Sequence, residues 1–216
     1  MHGRSYYLSL KRVLDITAAG VFLVLAAPAM FAASVLIWAT MGRPVLFRQR
    51  RPGRLCRPFT LLKFRTMTEA QDAEGRPLGD CERLTPVGRW LRRLSLDEAP
   101  QLWNVLRGEM SLVGPRPLLM EYLPCYTPRE RTRHLVRPGI TGLAQVNGRN
   151  RLGWNERLEL DARYAESQSL GLDLRILFHT ACQVLRGRDV VTGALPDLTD
   201  ERRDRIGVRV EAAEEG

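Results

Sequence analysis

The amino-acid sequence predicts a mostly helical α+β protein held at a membrane by its N-terminal segment, and three observations carry that expectation. From Ile16 to Gly42 the chain runs 27 residues without a charged side chain. Residues 43 to 65 then hold seven arginines and Lys63 and no acid. Beyond them, short strand-like and helical patterns alternate with stretches rich in proline and glycine.

Length and composition bound the answer. The 216 residues carry 33 basic and 24 acidic side chains, a net charge of +9, and 44% of them are apolar. That is one domain, or one domain plus an appendage, and it excludes a disordered chain. Only Lys11 and Lys63 are lysine, an arginine bias that by itself carries no function. Cys56, Cys81, Cys125 and Cys182 form no CxxC pair, and His2, His134 and His179 are scattered. Neither a zinc site nor a disulfide framework is expected, and reduced thiols fit a cytosol-facing protein. The basic residues are not interleaved with aromatics and match no reader motif, so no nucleic-acid partner is expected.

The apolar segment comes first. As a straight helix it would measure about 40 Å, against the roughly 30 Å of a hydrocarbon core. Pro28 sits near its middle and should bend it into two arms, neither long enough to cross alone. Arg4, Lys11 and Arg12 precede the segment, and Arg43, Arg48, Arg50 and Arg51 follow it. Positive charge on both flanks suits a dip into one leaflet and back, while a tilted, kinked spanning helix fits the apolar pattern equally. The basic run that follows suits anionic headgroups, and some of its members suit ligand phosphates.

The remaining elements follow in order. Pro44 to Phe47 and Phe59 to Arg65 read as strands around the turn Arg51-Pro52-Gly53-Arg54. Residues 68 to 83 read as a loop, Pro86 to Leu94 as a helix, and Asp97 to Leu106 as a second helix ended by Gly108. Gly114-Pro115-Arg116-Pro117 and Arg137 to Gly142 are too rich in turn residues to be helix interiors. Trp154 to Ser167 and Asp173 to Arg186 return to helical spacing. In the latter, Leu174, Leu177, Phe178, Ala181 and Leu185 make one apolar face and Gly187 the stop. The expected division is an N-terminal membrane segment over 1–42, a second unit over 43–195 and a mobile tail over 196–216.

The chemistry concentrates around residue 97. Ser95-Leu96-Asp97-Glu98 has the pattern of a capping box, with Pro100 placed in the first turn if the helix starts at Asp97. A helix N-terminus would keep Asp97 ionised and welcome a phosphate. Two adjacent carboxylates suit a divalent cation, and one suits attack on phosphorus; a structural cap with no chemistry is the plain alternative. Arg116, stiffened between two prolines, suits bidentate phosphate binding, and Arg137, Arg149, Lys63 and Arg65 could add charge to the same site.

Five segments in order carry a resemblance to a known family: Lys11-Arg12-Val13-Leu14-Asp15; Lys63-Phe64-Arg65-Thr66-Met67; Leu91 through Leu106, with Asp97-Glu98-Ala99-Pro100 at its centre; Gly108 through Pro117; and Arg137 through Val146. Together the chain resembles the bacterial sugar transferases, the monotopic polyprenyl-phosphate phosphoglycosyl transferases, over residues 11 to about 186. The resemblance implies a re-entrant membrane helix broken at Pro28 and a catalytic domain on the cytoplasmic face of the bacterial inner membrane, built with interfacial helices and short strands. It implies transfer of a sugar 1-phosphate from a UDP-sugar to a polyprenyl phosphate, usually undecaprenyl phosphate, with release of UMP and with magnesium as cofactor. It assigns the attacking role to Asp97, through a phosphosugar aspartate. Glu98 becomes metal ligand or acid/base partner beside Asp97, and Arg92 and Arg116 bind phosphate.

Two positions depart from the family pattern. Ala27 precedes Pro28 where many relatives have serine, and Glu109 stands where many have aspartate. Direct displacement without a covalent intermediate, and a non-catalytic scaffold on anionic lipid, are the competing readings. The sugar, the glycan pathway and any homo-oligomer are not legible in the sequence.

Overall fold

The computed structural model describes residues 2–76, 78–148, 152–185 and 197–202. Helix α1 spans His2–Met41 with Pro28 inside it. The helix continues on both sides of that proline, so the expected division into two arms is not an interruption of helical backbone. Proline there costs the bond to the carbonyl four residues back, while the remaining bonds carry the helix through.

Both flanks of α1 dock on the rest of the chain. Lys11 Nζ lies 2.7 Å from Asp173, and Arg12 donates to the carbonyls of Val105 and Leu106 at 2.7 and 3.0 Å. Asp15, buried, accepts from the Ser111 hydroxyl at 2.7 Å and the Leu112 amide at 3.1 Å. Toward its other end, Ile37 is fully buried with Phe64 and Leu91. Burying side chains of that size is worth about 1.5–3 kcal/mol each. Arg65 donates to the carbonyl of Met41 at 3.3 Å. Between the docked ends, Val21, Phe22, Val24, Leu25 and Phe31 are exposed.

Strands β1 (Leu46–Pro52) and β2 (Pro58–Phe64) pair antiparallel, with Leu46 opposite Phe64 and Arg51 opposite Phe59. The first strand therefore runs through the arginines that the sequence reading placed partly in a turn, and the reversal falls at residues 53–57. Basic side chains are tolerated there because β1 is an edge strand with one face toward solvent. The expected loop over 68–83 contains one short helix, α2 (Asp80–Arg83). Helix α3 (Pro86–Arg93) is capped by Thr85, whose hydroxyl accepts from the Gly88 amide at 2.9 Å, with Pro86 at its first turn. Gly88 admits no side chain: a Cβ there would lie 2.0 Å from the Thr66 carbonyl.

A single 3-10 turn, Leu96–Glu98, precedes α4 (Gln101–Leu106). The chain then forms β3 (Ser111–Val113), α5 (Pro128–Arg131), β4 (Gly139–Thr141), α6 (Leu143–Asn147), α7 (Trp154–Ser167) and α8 (Leu170–Leu185). Strands β3 and β4 pair in parallel, which the sequence reading did not anticipate. They join the two turn-dense segments: the Gly114 amide donates to Thr141 O at 2.8 Å, and the Gly139 amide to Pro115 O at 2.9 Å.

Helix α7 has the predicted limits, and α8 starts three residues earlier than predicted; Arg186 and Gly187 lie outside the described residues. The apolar face expected of α8 does not face the core. Ile176 and Asp173 are buried, whereas Leu174 and Phe178 are 58% and 67% exposed. Of the expected tail, residues 197–202 are described. Asp197 caps α9 (Leu198–Glu201), Leu198 is fully buried, and Arg202 pairs with Glu130 at 2.7 Å.

Candidate active site

Glu98 is the hub of the site. Lys63 Nζ, from β2, and Arg116 Nη2, from the loop after β3, both reach its Oε1, at 2.8 and 2.7 Å. Those bonds explain why the expected capping box is absent. Ser95 is left-handed, with φ 55°, and makes no side-chain cap, and Glu98 turns toward the two cations instead of back to the chain. Charge-assisted bonds to a partly buried carboxylate outweigh one backbone cap. Pro100 is the N-cap of α4, so Asp97 sits upstream, in the 3-10 turn, and not in the first turn of that helix.

Asn104 on α4 fixes this turn over β2. Its Nδ2 donates to Thr60 O at 2.8 Å and to Glu109 Oε2 at 2.7 Å, and its Oδ1 accepts from the Leu62 amide at 3.2 Å. Asn104 is buried, and a buried amide satisfied on both atoms specifies one position of helix against strand. Glu109 thus has a partner in this fold, despite its departure from the family pattern. Arg12 completes the frame by capping the last carbonyls of α4, where a cation is favoured.

The electrostatics differ between the neighbouring carboxylates. Burial raises the pKa of Asp97, and the Glu98 charge raises it further, against the pull of Lys63, Arg92 and Arg116. Asp97 lies outside α4, so the helix terminus expected to keep it ionised gives no such support and burial takes over. Burial also works against ionised Glu98, but Arg116 and Lys63 overcome it and hold that carboxyl far below the usual range. Lys63 is lowered by burial and then by Arg116, and Arg116 is raised by Glu98.

Asp97, Glu98, Lys63, Arg65, Arg92 and Arg116 all line one cleft of about 2520 Å³, which Phe22 and Ala26 of α1 also border. Arg92 is oriented by Thr66, whose hydroxyl accepts from its Nε at 3.2 Å. Arg65 borders the cleft while its guanidinium holds the carbonyls of Met41, Arg43 and Met67. Arg137 is not brought there; its Nε donates to Gly108 O at 3.0 Å. Arg149 lies outside the described residues. Pro28 belongs to α1 and not to the cleft wall.

Three contributors were missed in the sequence. Arg51 lines the cleft beside Lys63 and Arg116. Arg133 and Asp161, both almost wholly buried and 2.7 Å apart, support Arg116 from behind. Arg51 was one arginine in a run of seven, and residues 133 and 161 are 28 apart, so neither pattern carried a signal.

For a divalent cation the donor set is small but suitable. Lys63 and Arg116 share Oε1 of Glu98, leaving Oε2 without a hydrogen-bond donor among the described residues. No cluster of three His, Cys, Asp or Glu exists among those residues. Magnesium needs no such cage, since one or two carboxylates with substrate phosphates and water are its usual shell.

The family model described as bacterial sugar transferase matches residues 6–187. An uncharacterized sugar transferase, EpsL of Bacillus subtilis, is 51% identical over 176 residues, covering 82% of this chain and 87% of that protein. The UDP-glucose:undecaprenyl-phosphate glucose-1-phosphate transferase of Caulobacter vibrioides is 43% identical over 188 residues, 81% of this chain and 69% of its own. The undecaprenyl-phosphate galactose phosphotransferase of Salmonella typhimurium is 38% identical over 197 residues, 82% of this chain but 40% of its own.

Proposed function

The chain belongs to the bacterial sugar transferase family, and from that premise we propose that it moves a sugar 1-phosphate from a UDP-sugar to undecaprenyl phosphate through a covalent bond to Asp97. It is a phosphoglycosyl transferase, the activity named for its relatives. The product, a polyprenyl diphosphate sugar, starts the membrane stage of a surface glycan such as an exopolysaccharide.

One observation carries the reading: Asp97 lines a cleft walled both by paired cations and by Phe22 and Ala26 of the apolar helix. A charged donor and a lipid acceptor need such a meeting place. The oxygen of Asp97 bonds to the phosphorus that bears the sugar as the bond from that phosphorus to the bridging oxygen breaks, the electron pair leaving with UMP. An oxygen of the acceptor phosphate then attacks the same phosphorus, and Asp97 leaves as a free carboxylate. Lys63, Arg92 and Arg116 balance charge on the phosphate oxygens, and positioning of this kind is the main source of catalysis in phosphoryl transfer. Asp97 and Oε2 of Glu98 would hold magnesium, which when bound supplies further neutralisation of the diphosphate.

We read α1 as a re-entrant helix with the catalytic domain on the cytoplasmic face. Two observations support this: residues 11–15 and 33–41 touch the same folded unit, and most residues between them, Val21, Phe22, Val24, Leu25 and Phe31 included, are apolar and exposed, while Ala19 is buried against that same unit. A bilayer crossing would carry one flank to the far side, away from that unit. The exposed apolar side of α8 fits contact with the same membrane surface.

Rapid mixing with UDP-sugar in the absence of acceptor tests the covalent step. A stoichiometric UMP burst that vanishes in Asp97→Asn is the expected result. Steady turnover with no burst would establish direct displacement, and no magnesium-dependent UMP release at all would leave a scaffold.

A further inference from the structure

A second cavity, of about 240 Å³, lies beside the cleft and shares Lys63, Arg116 and Arg51 with it. We propose that this chamber is a donor subsite, receiving the uncharged ring attached to the diphosphate, with Gln101 donating to a carbonyl or hydroxyl oxygen of that ring. The proposal rests on the UDP-sugar reading of the neighbouring cleft.

Four features point the same way. The chamber is lined by no residue of α1, whereas Phe22 and Ala26 border the cleft, so a water-soluble substrate suits the chamber and a lipid suits the cleft. Its walls include the rings of Tyr122 and Trp154, packed edge to face at 5.4 Å, which supply apolar surface for a ring. Its polar groups are donors in excess, because no carboxylate among the described residues lines it. Two of those donors are unsatisfied among the described residues: Nε2 of Gln101, a residue 2% exposed, and Nε of Arg51. A buried donor without an acceptor costs about 1–3 kcal/mol, and a side-chain rotation that opened it to the chamber would let an incoming oxygen recover that cost.

Position and size agree. Gln101 is the first residue of α4, three beyond Glu98, and Lys63 and Arg116 stand where the two cavities meet. Phosphates held there would leave the attached ring facing Gln101. The volume is below the 300–1,000 Å³ of pockets for whole drug-sized ligands and suits one ring with its substituents. Arg51 is lowered to about 10 by burial and by Arg116, a guanidinium short of negative partners.

The uncharged ring is either the nucleobase or the hexose, and one titration separates them. In the full-length Asp97→Asn protein, where chemistry is blocked, UDP, UDP-glucose, UDP-galactose and UDP-N-acetylgalactosamine are titrated calorimetrically before and after Gln101→Leu and, separately, Leu118→Phe. The first removes the amide at similar volume, and the second fills the chamber; Gln101→Met replaces the first if its unfolding temperature falls. We expect five- to tenfold weaker binding. Equal weakening for UDP and the sugar nucleotides assigns the chamber to the base, and weakening for a sugar nucleotide alone assigns it to the hexose. Unchanged affinities in folded variants overturn the subsite and leave a solvent-filled void. Failure of the parent to bind any of the four overturns the donor reading itself.

Discussion

Arg133 holds the backbone of Arg116: its Nη2 donates to the Arg116 carbonyl at 2.6 Å and to Asp161 at 2.7 Å. Arg133 also stands over the Tyr126 ring, 5.6 Å from its centroid. A buried ion pair thus fixes the loop from which Arg116 reaches Glu98. Replacing Arg133 by Met leaves Asp161 charged, buried and alone, a change that costs about 3–5 kcal/mol. Denaturant unfolding should show that loss, and Asp161→Asn in the same chain should restore part of it. In Arg133→Lys the pair with Asp161 can re-form, but one ammonium lacks the planar fork that serves both partners. Stability should then recover more than KM for the donor. Equal recovery of both would mean that Arg133 does not position Arg116.

In the proposed covalent route Asp97 must be ionised to attack, and burial with Glu98 raises its pKa. Activity should therefore fall on acidification at a higher pH than an ordinary aspartate would impose. Glu98→Gln removes the like charge and should move that acid limb of UMP release to lower pH. Lys63→Met removes a stabilising cation and should move it to higher pH. Both variants will be slower, so the midpoint and not the rate is the readout. A limb that stays put in both would assign it to another group.

His134 gives a separate dependence in stability. It is buried, and burial followed by the Arg133 charge lowers its pKa from 6.5 to about 4. The unfolded chain then binds the proton first, so stability is greatest above pH 6.5 and declines as pH falls toward 4. The full effect is at most roughly 3 kcal/mol. His134→Gln should flatten the melting temperature across that window.

The loops carrying Gly114 and Gly142 meet backbone to backbone. A Cβ on Gly142 would lie 2.2 Å from the Gly114 carbonyl, whereas one on Gly153 meets nothing within 4 Å. Gly142→Ala should cost about 1–3 kcal/mol and lower activity with it. Gly153→Ala, which replaces the glycine N-cap of α7 without a clash, should cost less in thermal unfolding and leave turnover unchanged.

Topology is tested by labelling. Cys56 and Cys81 are exposed, so all native cysteines are first replaced by serine. Cysteines introduced near Ser5 and near Gly53, the latter at the exposed Arg57, should then both react from the cytoplasmic side of sealed vesicles. Reaction of the first only from the opposite side would establish a spanning helix.

Part of the candidate site's make-up was legible because it is written in contiguous residues. Asp97 and Glu98 are neighbours, and Arg116 stands between two prolines. The geometry joining them was not. The capping pattern at Ser95 to Glu98 was real as a pattern, yet Lys63 and Arg116 competed for the same carboxylate and won. Arg137 looked like a further phosphate ligand and instead binds the carbonyl of Gly108. The apolar side of α8 was legible as a face, but not as an exposed one.

What the sequence alone determined was local: an uncharged 27-residue run, the limits of α7, a helix α3 beginning at Pro86, and the residue types available for phosphate chemistry. Periodicity, caps and prolines act between residues a few positions apart, so their physics is present in the order of the chain. Tertiary structure decided the convergence of Lys63 and Arg116, 53 positions apart, on one oxygen of Glu98. It also decided which flank of α1 meets which surface, and that Gln101 borders a cavity with its Nε2 lacking an acceptor among the described residues. Those outcomes depend on which buried groups satisfy one another at about 3 Å, and that is settled only when distant segments pack together.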